Sequence, residues 1–487
     1  MHMFSSLLLS AQNLSLFYPA SSRAVLKACN LEIQSGEILL IAGPSGSGKS
    51  SLIHALSGLI PRNIQGRIQG SVSLLGKNIQ EIPFWEISRS LAVVFQEPEE
   101  QFFTLKVEDE IAFGPENHGL PPEEIRQRIH QAALDTDTEF LLPRLIHTLS
   151  EGEKQKVAIA ANLAMNPQIL LFDEPTSNLD ERSASQFYTL LEKLHQHADR
   201  AIVLTEHRLH RAAQIADRLI ILRDGEIAYD GKPHLLQNPQ WPQTWGLRAG
   251  SDQSPALSSG KEKSRAMHFQ PILSVSDLYF RFRPNGHFAV QVPKFSVDAG
   301  EAVAVCGDNG SGKTTLLRLL AGALIPDQGD ILLEGRKIHS LPLGQRSQMI
   351  RLVLQNMDHQ LLGRSVFSEL VNWSFPSGSE KKRASVEKAS LLLDRFNLSH
   401  LRDRHPHSLS VGEKQRLAIA SGIINNPSLL LLDEPTSGMD GASIDQLIHL
   451  LREHKEQGMA LVIASHDDEL IEAICDRRIS LHFGHLA

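Results

Sequence analysis

Two stretches of the chain repeat one chemical arrangement: Gly43-Pro44-Ser45-Gly46-Ser47-Gly48-Lys49-Ser50-Ser51 and Gly307-Asp308-Asn309-Gly310-Ser311-Gly312-Lys313-Thr314-Thr315. The glycines let backbone N–H groups converge on an anion, the lysine reaches a terminal phosphate, and the hydroxyl after it can take a place on Mg²⁺. Each stretch follows an apolar run, Ile38–Ala42 or Ala302–Cys306. A helix opening at that point adds its positive dipole end to the same anion. The pattern is a phosphate-binding P-loop, present twice.

Carboxylates follow at a matching distance. Asp173-Glu174-Pro175 and Asp433-Glu434-Pro435 each end a continuous apolar run, Ile169–Phe172 or Leu429–Leu432. Such a run predicts a strand buried on both faces. Two adjacent carboxylates at its end are costly unless they have work or a partner. Beside a P-loop, the aspartate is placed to hold Mg²⁺ and the glutamate to polarise an attacking water. Leu149-Ser150-Glu151-Gly152 and Leu409-Ser410-Val411-Gly412 each precede a helical run, so each serine reads as a helix N-cap or as part of an anion site.

The positioning elements come in two sets. Lys49 and Lys313 are 264 residues apart, Asp173 and Asp433 are 260 apart, and His207 and His466 are 259 apart. A near-constant offset means tandem homologous domains, with about five residues lost from the second copy. The expected division is a first domain over 1–247, a flexible Ser/Gly-rich linker over 248–270, and a second domain over 271–487. As a random coil the linker would span roughly 25–30 Å. Within each copy β-branched and leucine runs alternate with helical patterns, which predicts an α/β fold with a mainly parallel sheet. The stretch Pro121–Gln131 carries Glu, Arg and Gln at helical spacing and reads as a solvated helix.

Composition excludes several classes. The 487 residues carry 48 basic and 56 acidic side chains, a net charge of −8, so no global electrostatic case for nucleic acid exists. Cys29, Cys306 and Cys475 are too few for a disulfide framework and fit a reducing cytosol. No apolar run approaches the ~18 residues of a membrane span. The first ten residues lack a basic n-region, so no signal peptide is expected and a membrane would be reached through partners.

Taken in order, the P-loop, a glutamine after a strand (Gln96, Gln355), a Leu-Ser-x-Gly signature, Asp-Glu-Pro and a later histidine (His207, His466) resemble the ATP-binding cassette (ABC) ATPases. The resemblance covers nearly the whole chain outside the linker. It implies two P-loop NTPase domains, each with a helical subdomain, that pair head to tail within one chain around two ATP molecules. One composite site would combine Gly43–Ser51, Gln96, Asp173, Glu174 and His207 with Ser410 and Gly412. The other would combine Gly307–Thr315, Gln355, Asp433, Glu434 and His466 with Ser150 and Gly152. By the same resemblance Ser50, Thr314, Gln96, Gln355, Asp173 and Asp433 hold the metal. Glu174 and Glu434 are general bases, His207 and His466 contact the γ-phosphate, and Tyr18 and Phe282 stack on adenine. The signature departs from the family pattern at Glu151, Val411, Glu153 and Glu413. Because Glu151 adds a carboxylate near a polyanion, the site holding Lys313 is expected to be the slower one.

Within the family, Phe95-Gln96-Glu97-Pro98-Glu99-Glu100-Gln101 and Ala112-Phe113-Gly114-Pro115-Glu116-Asn117 resemble the ATPases of energy-coupling factor (ECF) importers. The second half matches less well: Gln355 and Gln360 remain, but Trp373-Ser374-Phe375-Pro376 replaces Gly-Pro-Glu-Asn. The resemblance implies uptake of a vitamin or of cobalt or nickel ions. It also implies an integral membrane coupling protein, a small substrate-binding membrane subunit and a place on the cytoplasmic face of the membrane. Two rivals remain, a soluble ABC-F translation factor and the tandem ATPase of a sugar importer. A short Ser/Gly-rich linker and an acidic overall charge count against the first, and two intact P-loop sets against the second.

Overall fold

The computed structural model describes residues 6–19, 23–177, 179–197, 200–207, 209–237, 245–248, 271–282, 289–373 and 379–486. The chain forms two compact units, Met1–Asp252 and Gln253–Ala487. The expected linker, apart from Arg248, lies outside the described residues, as do Ser374–Pro376 of the replaced segment.

In the first unit the apolar runs become β3 (Ile38–Ala42), β6 (Leu91–Val94), β7 (Ile169–Asp173), β8 (Ala201–Thr205) and β9 (Arg218–Arg223). With β10 (Glu226–Gly231) they form a six-stranded sheet in the order β10-β9-β3-β8-β7-β6, parallel except at β10. Every residue of β3, β7 and β8 is buried, which is why these strands read as unbroken apolar runs rather than alternating ones. A second, antiparallel sheet of β1 (Leu7–Phe17), β2 (Leu26–Gln34), β4 (Arg67–Leu74) and β5 (Lys77–Asn78) runs in the order β2-β1-β4-β5. Its strands alternate, as Leu26–Gln34 does, because only one face packs inward.

The helices of this unit are α1 (Lys49–Leu56), the four-residue α2 (Leu59–Arg62), α3 (Phe84–Ser90), α4 (Val107–Asn117), α5 (Pro122–Asp135), α6 (Glu151–Leu163), α7 (Glu181–His197) and α8 (Leu209–Ile215). Together α4, α5 and α6 make a helical layer beside the parallel sheet, sharing the core of Val107, Ile111, Ile129, Ala132, Val157 and Ile159. The solvated helix expected over Pro121–Gln131 is α5, and its second half turns Ile129, Ala132 and Ala133 into that core.

The second unit repeats the plan in β11 (Leu273–Phe280), β12 (Val290–Val297), β13 (Ala302–Cys306), β14 (Gln328–Leu333), β15 (Arg336–Lys337), β16 (Ile350–Val353), β17 (Leu429–Asp433), β18 (Ala460–Ala464), β19 (Arg477–His482) and β20 (His485–Leu486). Its helices are α9 (Lys313–Leu320), α10 (Leu343–Met349), α11 (Val366–Trp373), α12 (Ser379–Arg395), α13 (Val411–Ile423), α14 (Gly441–Glu456) and α15 (Asp468–Ile474). Here the parallel and antiparallel parts join in one ten-stranded sheet through the pair Gln291↔His485. The first unit has the same hydrogen bond, Lys27 N–H to Gly225 O at 2.8 Å against Gln291 N–H to Gly484 O at 2.7 Å, so the sheets of the two units differ here in how far this ladder extends.

Candidate functional site

Each P-loop runs from the C-terminal end of the central parallel strand (β3 or β13) into α1 or α9, the end of an open α/β sheet where ligands bind. The loop closes on itself because a lysine turns back over it. Lys49 Nζ donates to Gly43 O at 3.0 Å, and Lys313 Nζ to Gly307 O at 2.6 Å. A Cβ on Gly43 would stand 2.3 Å from the Leu222 carbonyl, so only glycine lets the loop pass β9. Gly48 and Gly312, the residues before each helix, both take φ of 104°. The hydroxyls of Ser47 and Ser311 are buried without a hydrogen-bond partner among the described residues. An orphaned donor inside a cradle of backbone amides fits a bound anion.

The strand-end carboxylates converge on the same lysines. In the first unit Glu174 Oε1 lies 3.7 Å from Lys49 Nζ and 2.9 Å from His207 Nε2, which is 3.3 Å from Lys49 Nζ. In the second, His466 Nε2 lies 2.9 Å from Lys313 Nζ and 3.4 Å from Glu434 Oε1. Both glutamates take φ in the left-handed region, +46° and +47°. This costly conformation for a residue with a Cβ turns each side chain back toward the lysine. Burial works to raise the Glu174 carboxyl, but His207 and Lys49 outweigh it and hold the group at about 2. Asp173 moves the other way: burial and the Glu174 charge raise it, opposed by hydrogen bonds from Thr205 and Ser50. Asp433 is raised by burial too, against a hydrogen bond from Thr314 (Oγ1 to Oδ2, 2.7 Å) and the Lys313 charge. A buried aspartate whose ionised form is disfavoured, touching the hydroxyl that follows the P-loop lysine, is suited to a divalent cation.

Thr205 is a residue that sequence reasoning missed. Its Oγ1 donates to Asp173 Oδ1 at 2.8 Å and accepts from Glu174 N–H at 2.9 Å, fixing both carboxylate-bearing residues. The only signal was a hydroxyl closing an otherwise apolar strand. At the matching place the second unit has Ala464, paired with Asp433, and the Glu434 N–H goes to its carbonyl at 2.8 Å.

The remaining predicted residues divide. Tyr18 is half-buried and its hydroxyl meets Ser51 Oγ at 3.1 Å, whereas Phe282 is 59% exposed and packs edge-to-face on Phe280. Gln96 and Gln355 follow β6 and β16, the strands next to β7 and β17, and among the described residues neither side chain is bonded to its P-loop cluster. Gln360 instead staples the ends of its loop, accepting from Leu354 N–H at 3.1 Å and donating to Leu352 O at 3.3 Å.

Ser150 and Ser410 sit at the N-termini of α6 and α13 and, among the described residues, make no hydrogen bond to the lysine cluster of their own unit. Glu153 Oε2 accepts from Ser150 N–H and Glu413 Oε2 from Ser410 N–H, each at 2.8 Å. The glutamates that depart from the signature thus close capping boxes. Gly412 is buried, and a Cβ on Gly152 would press on Ser183 at 3.0 Å. Glu151 is paired with Lys154 at 2.8 Å, and Lys154 also binds Glu99. Lys154 is thus shared between two carboxylates, and the charge behind the expected slowness of the Lys313 site is offset only in part.

A family model described as ABC transporter matches residues 26–177 and 290–437. A protein of Methanosarcina mazei assigned as an ABC transporter ATP-binding protein is 34% identical over 520 residues, covering 98% of this chain and 87% of that one. A Bacillus subtilis protein assigned as HMP/thiamine import ATP-binding protein YkoD is 34% identical over 504 residues, covering 99% and 91%. Among solved structures, a chain of ribosome-bound archaeal Pelota and ABCE1 superposes with a TM-score of 0.66 at 20% identity over 96% of this chain and 76% of that one, which shows the shared fold. The chain belongs to the ABC transporter family. It is a tandem ATPase of that family, an enzyme whose hydrolysis is coupled to transport. No helix among the described residues is long and apolar enough to cross a membrane.

Proposed function

We propose that this chain hydrolyses ATP in two composite sites, each built from one unit's P-loop cluster and the other unit's signature serine, and powers an ECF-type importer. The observation that supports it most is the duplicated cluster: lysine, buried aspartate, strained glutamate and histidine meet in each unit. The backbone amides of Gly43–Ser51 and Gly307–Thr315 would hold the phosphates, with Ser47 and Ser311 supplying their unpaired hydroxyls. Ser50, Thr314, Asp173 and Asp433 would hold Mg²⁺, assisted by Gln96 and Gln355. The ion supplies neutralisation of phosphate charge when bound.

Glu174 stays ionised at neutral pH and accepts a proton from water, while His207 and Lys49 fix its carboxylate. Glu434, 3.4 Å from His466, is placed to act as the base of the other site. Tyr18 and Phe282 would offer ring faces to adenine. Phe282, already exposed, needs no rearrangement to do so. ECF-type import of a vitamin or of cobalt or nickel ions is supported by the Gln96–Gln101 and Ala112–Asn117 patterns and by the likeness to a thiamine-import relative. Domain bounds at 1–247 and 271–487, with the coupling protein and substrate subunit as partners at the cytoplasmic face of the membrane, complete the reading.

Affinity purification of the full chain from detergent-solubilised cells tests it. An integral membrane protein at near-unit stoichiometry supports the importer, and recovery with ribosomes would overturn it in favour of a translation factor.

A further inference from the structure

Glu110 in α4 and Glu369 in α11 are buried carboxylates, 5% and 1% exposed, with no part in the phosphate clusters. Each reaches back to the loop after its Gln segment. Glu110 Oε2 accepts from Phe103 N–H at 3.0 Å, Thr104 N–H at 2.8 Å and Thr104 Oγ1 at 2.9 Å. Glu369 Oε2 accepts from Leu362 N–H at 2.9 Å and from Gly363 N–H, and its Oε1 from the Trp373 indole N–H at 2.6 Å. The second unit has lost the threonine hydroxyl and gained the indole. Gly363 stands where the first unit has Thr104, and as this loop is placed an added Cβ would meet Glu369 at 2.7 Å. Chemistry preserved through different donors points to a requirement for the pinned loop rather than for one contact.

The pinned loop holds the strap that leads into the signature. In the first unit Val107 N–H donates to Arg144 O and Glu108 N–H to Leu142 O, both at 3.2 Å, and Ile146 N–H returns to Leu105 O at 2.9 Å. Arg144 then grips Glu153 at 3.0 Å, the residue that caps Ser150. The second unit repeats the first two bonds, Val366 N–H to Arg404 O at 2.9 Å and Phe367 N–H to Arg402 O at 3.0 Å. Pro406, which has no N–H, stands near the place of Ile146.

We propose that Glu110 and Glu369 are positioning residues that set the placement of Ser150 and Ser410 by pinning the loop on which the signature strap is hung. This rests on the reading that Ser150 serves the nucleotide held by Lys313. Loss of Glu110 should therefore act on the site of the other unit.

The test measures ATPase of the full chain, in complex with its membrane partner, in two backgrounds: Glu174→Gln, which leaves the Lys313 site, and Glu434→Gln, which leaves the Lys49 site. Glu110→Ala is expected to lower kcat about 10-fold in the first background and less than about 3-fold in the second, with KM for ATP unchanged in both. Glu110→Gln, which keeps one acceptor oxygen, should recover most of the loss, and if Glu110→Ala does not fold, Glu369→Ala read with the two backgrounds exchanged serves in its place. A loss equal in both backgrounds, or larger at the Lys49 site, means damage confined to the first unit and overturns the proposal. Ser150→Ala run alongside separates the two ideas. If it too spares the Lys313 site, the composite-site reading fails. If it lowers that site and Glu110→Ala does not, only the positioning role fails.

Discussion

Glu174 and Glu434 carry the heaviest chemical assignment, and their strained backbone and histidine–lysine neighbours are the physical grounds for it. Removing the base of a proton transfer costs roughly 10²–10⁴-fold. Glu174→Gln together with Glu434→Gln should lower steady-state ATPase of the full chain by at least about 100-fold while leaving ATP binding intact, read by phosphate release and nucleotide filter binding. Comparing the two single variants also weighs the expected slowness of the Lys313 site, for which Lys154, shared with Glu99, offsets the Glu151 charge in part. Cys475 gives a second test. Burial, the largest influence, pushes its thiol from 9.0 to about 12. The unfolded chain therefore loses this proton more readily, so the stability tied to Cys475 is full below pH 9 and lost as pH rises toward 12. Its thiolate fraction at pH 8 is about a thousandfold below that of an ordinary thiol. Iodoacetamide should leave Cys475 unmodified in the native protein while labelling it in urea. Cys475 is partly buried, and native labelling as fast as that in urea would contradict the raised thiol. At this scale most of the cluster was legible, because lysine, aspartate, glutamate and histidine recur at one offset. Thr205 and the buried Glu110 were not, since a hydroxyl or carboxylate that serves by accepting backbone N–H groups has no fixed spacing in sequence.

Elements place these residues through a few tight constraints. Gly43 must pass beneath β9, so Gly43→Ala would drive a Cβ against the Leu222 carbonyl. We expect at least a 10-fold loss of ATP affinity and a lower melting temperature. At Gly46 an added Cβ would meet no atom within 4 Å, although φ is +76°. Gly46→Ala should cost only the left-handed strain, about 1 kcal/mol, and lose less affinity. Isothermal titration and thermal melts of the two variants check the order, and equal losses would contradict it. Continuous apolar runs foretold the parallel strands correctly because burial on both faces leaves no alternation. The antiparallel sheet was less legible: β1 bends through three register shifts against β2, which blurs its period of two. The capping boxes were half visible. Ser150 and Ser410 read as N-caps, while Glu153 and Glu413 registered only as departures from a family pattern.

Across the whole molecule, duplication is the organising fact. The two units share a strand plan and a cluster, yet differ in detail: Thr205 against Ala464, the Tyr18–Ser51 contact against an exposed Phe282, Thr104 against Gly363. Those differences fall outside the lysine, aspartate, glutamate and histidine, which are the same in both. The central claim is that one chain holds two ATP molecules, each needing both units. The most direct test traps nucleotide in the Glu174→Gln/Glu434→Gln double variant with Mg²⁺ and counts retained ATP per chain, with chain number fixed by light scattering. The account predicts two ATP on a single chain, falling to one when either Ser150→Ala or Ser410→Ala is added. One ATP per chain, or retention only when two chains associate, would contradict it.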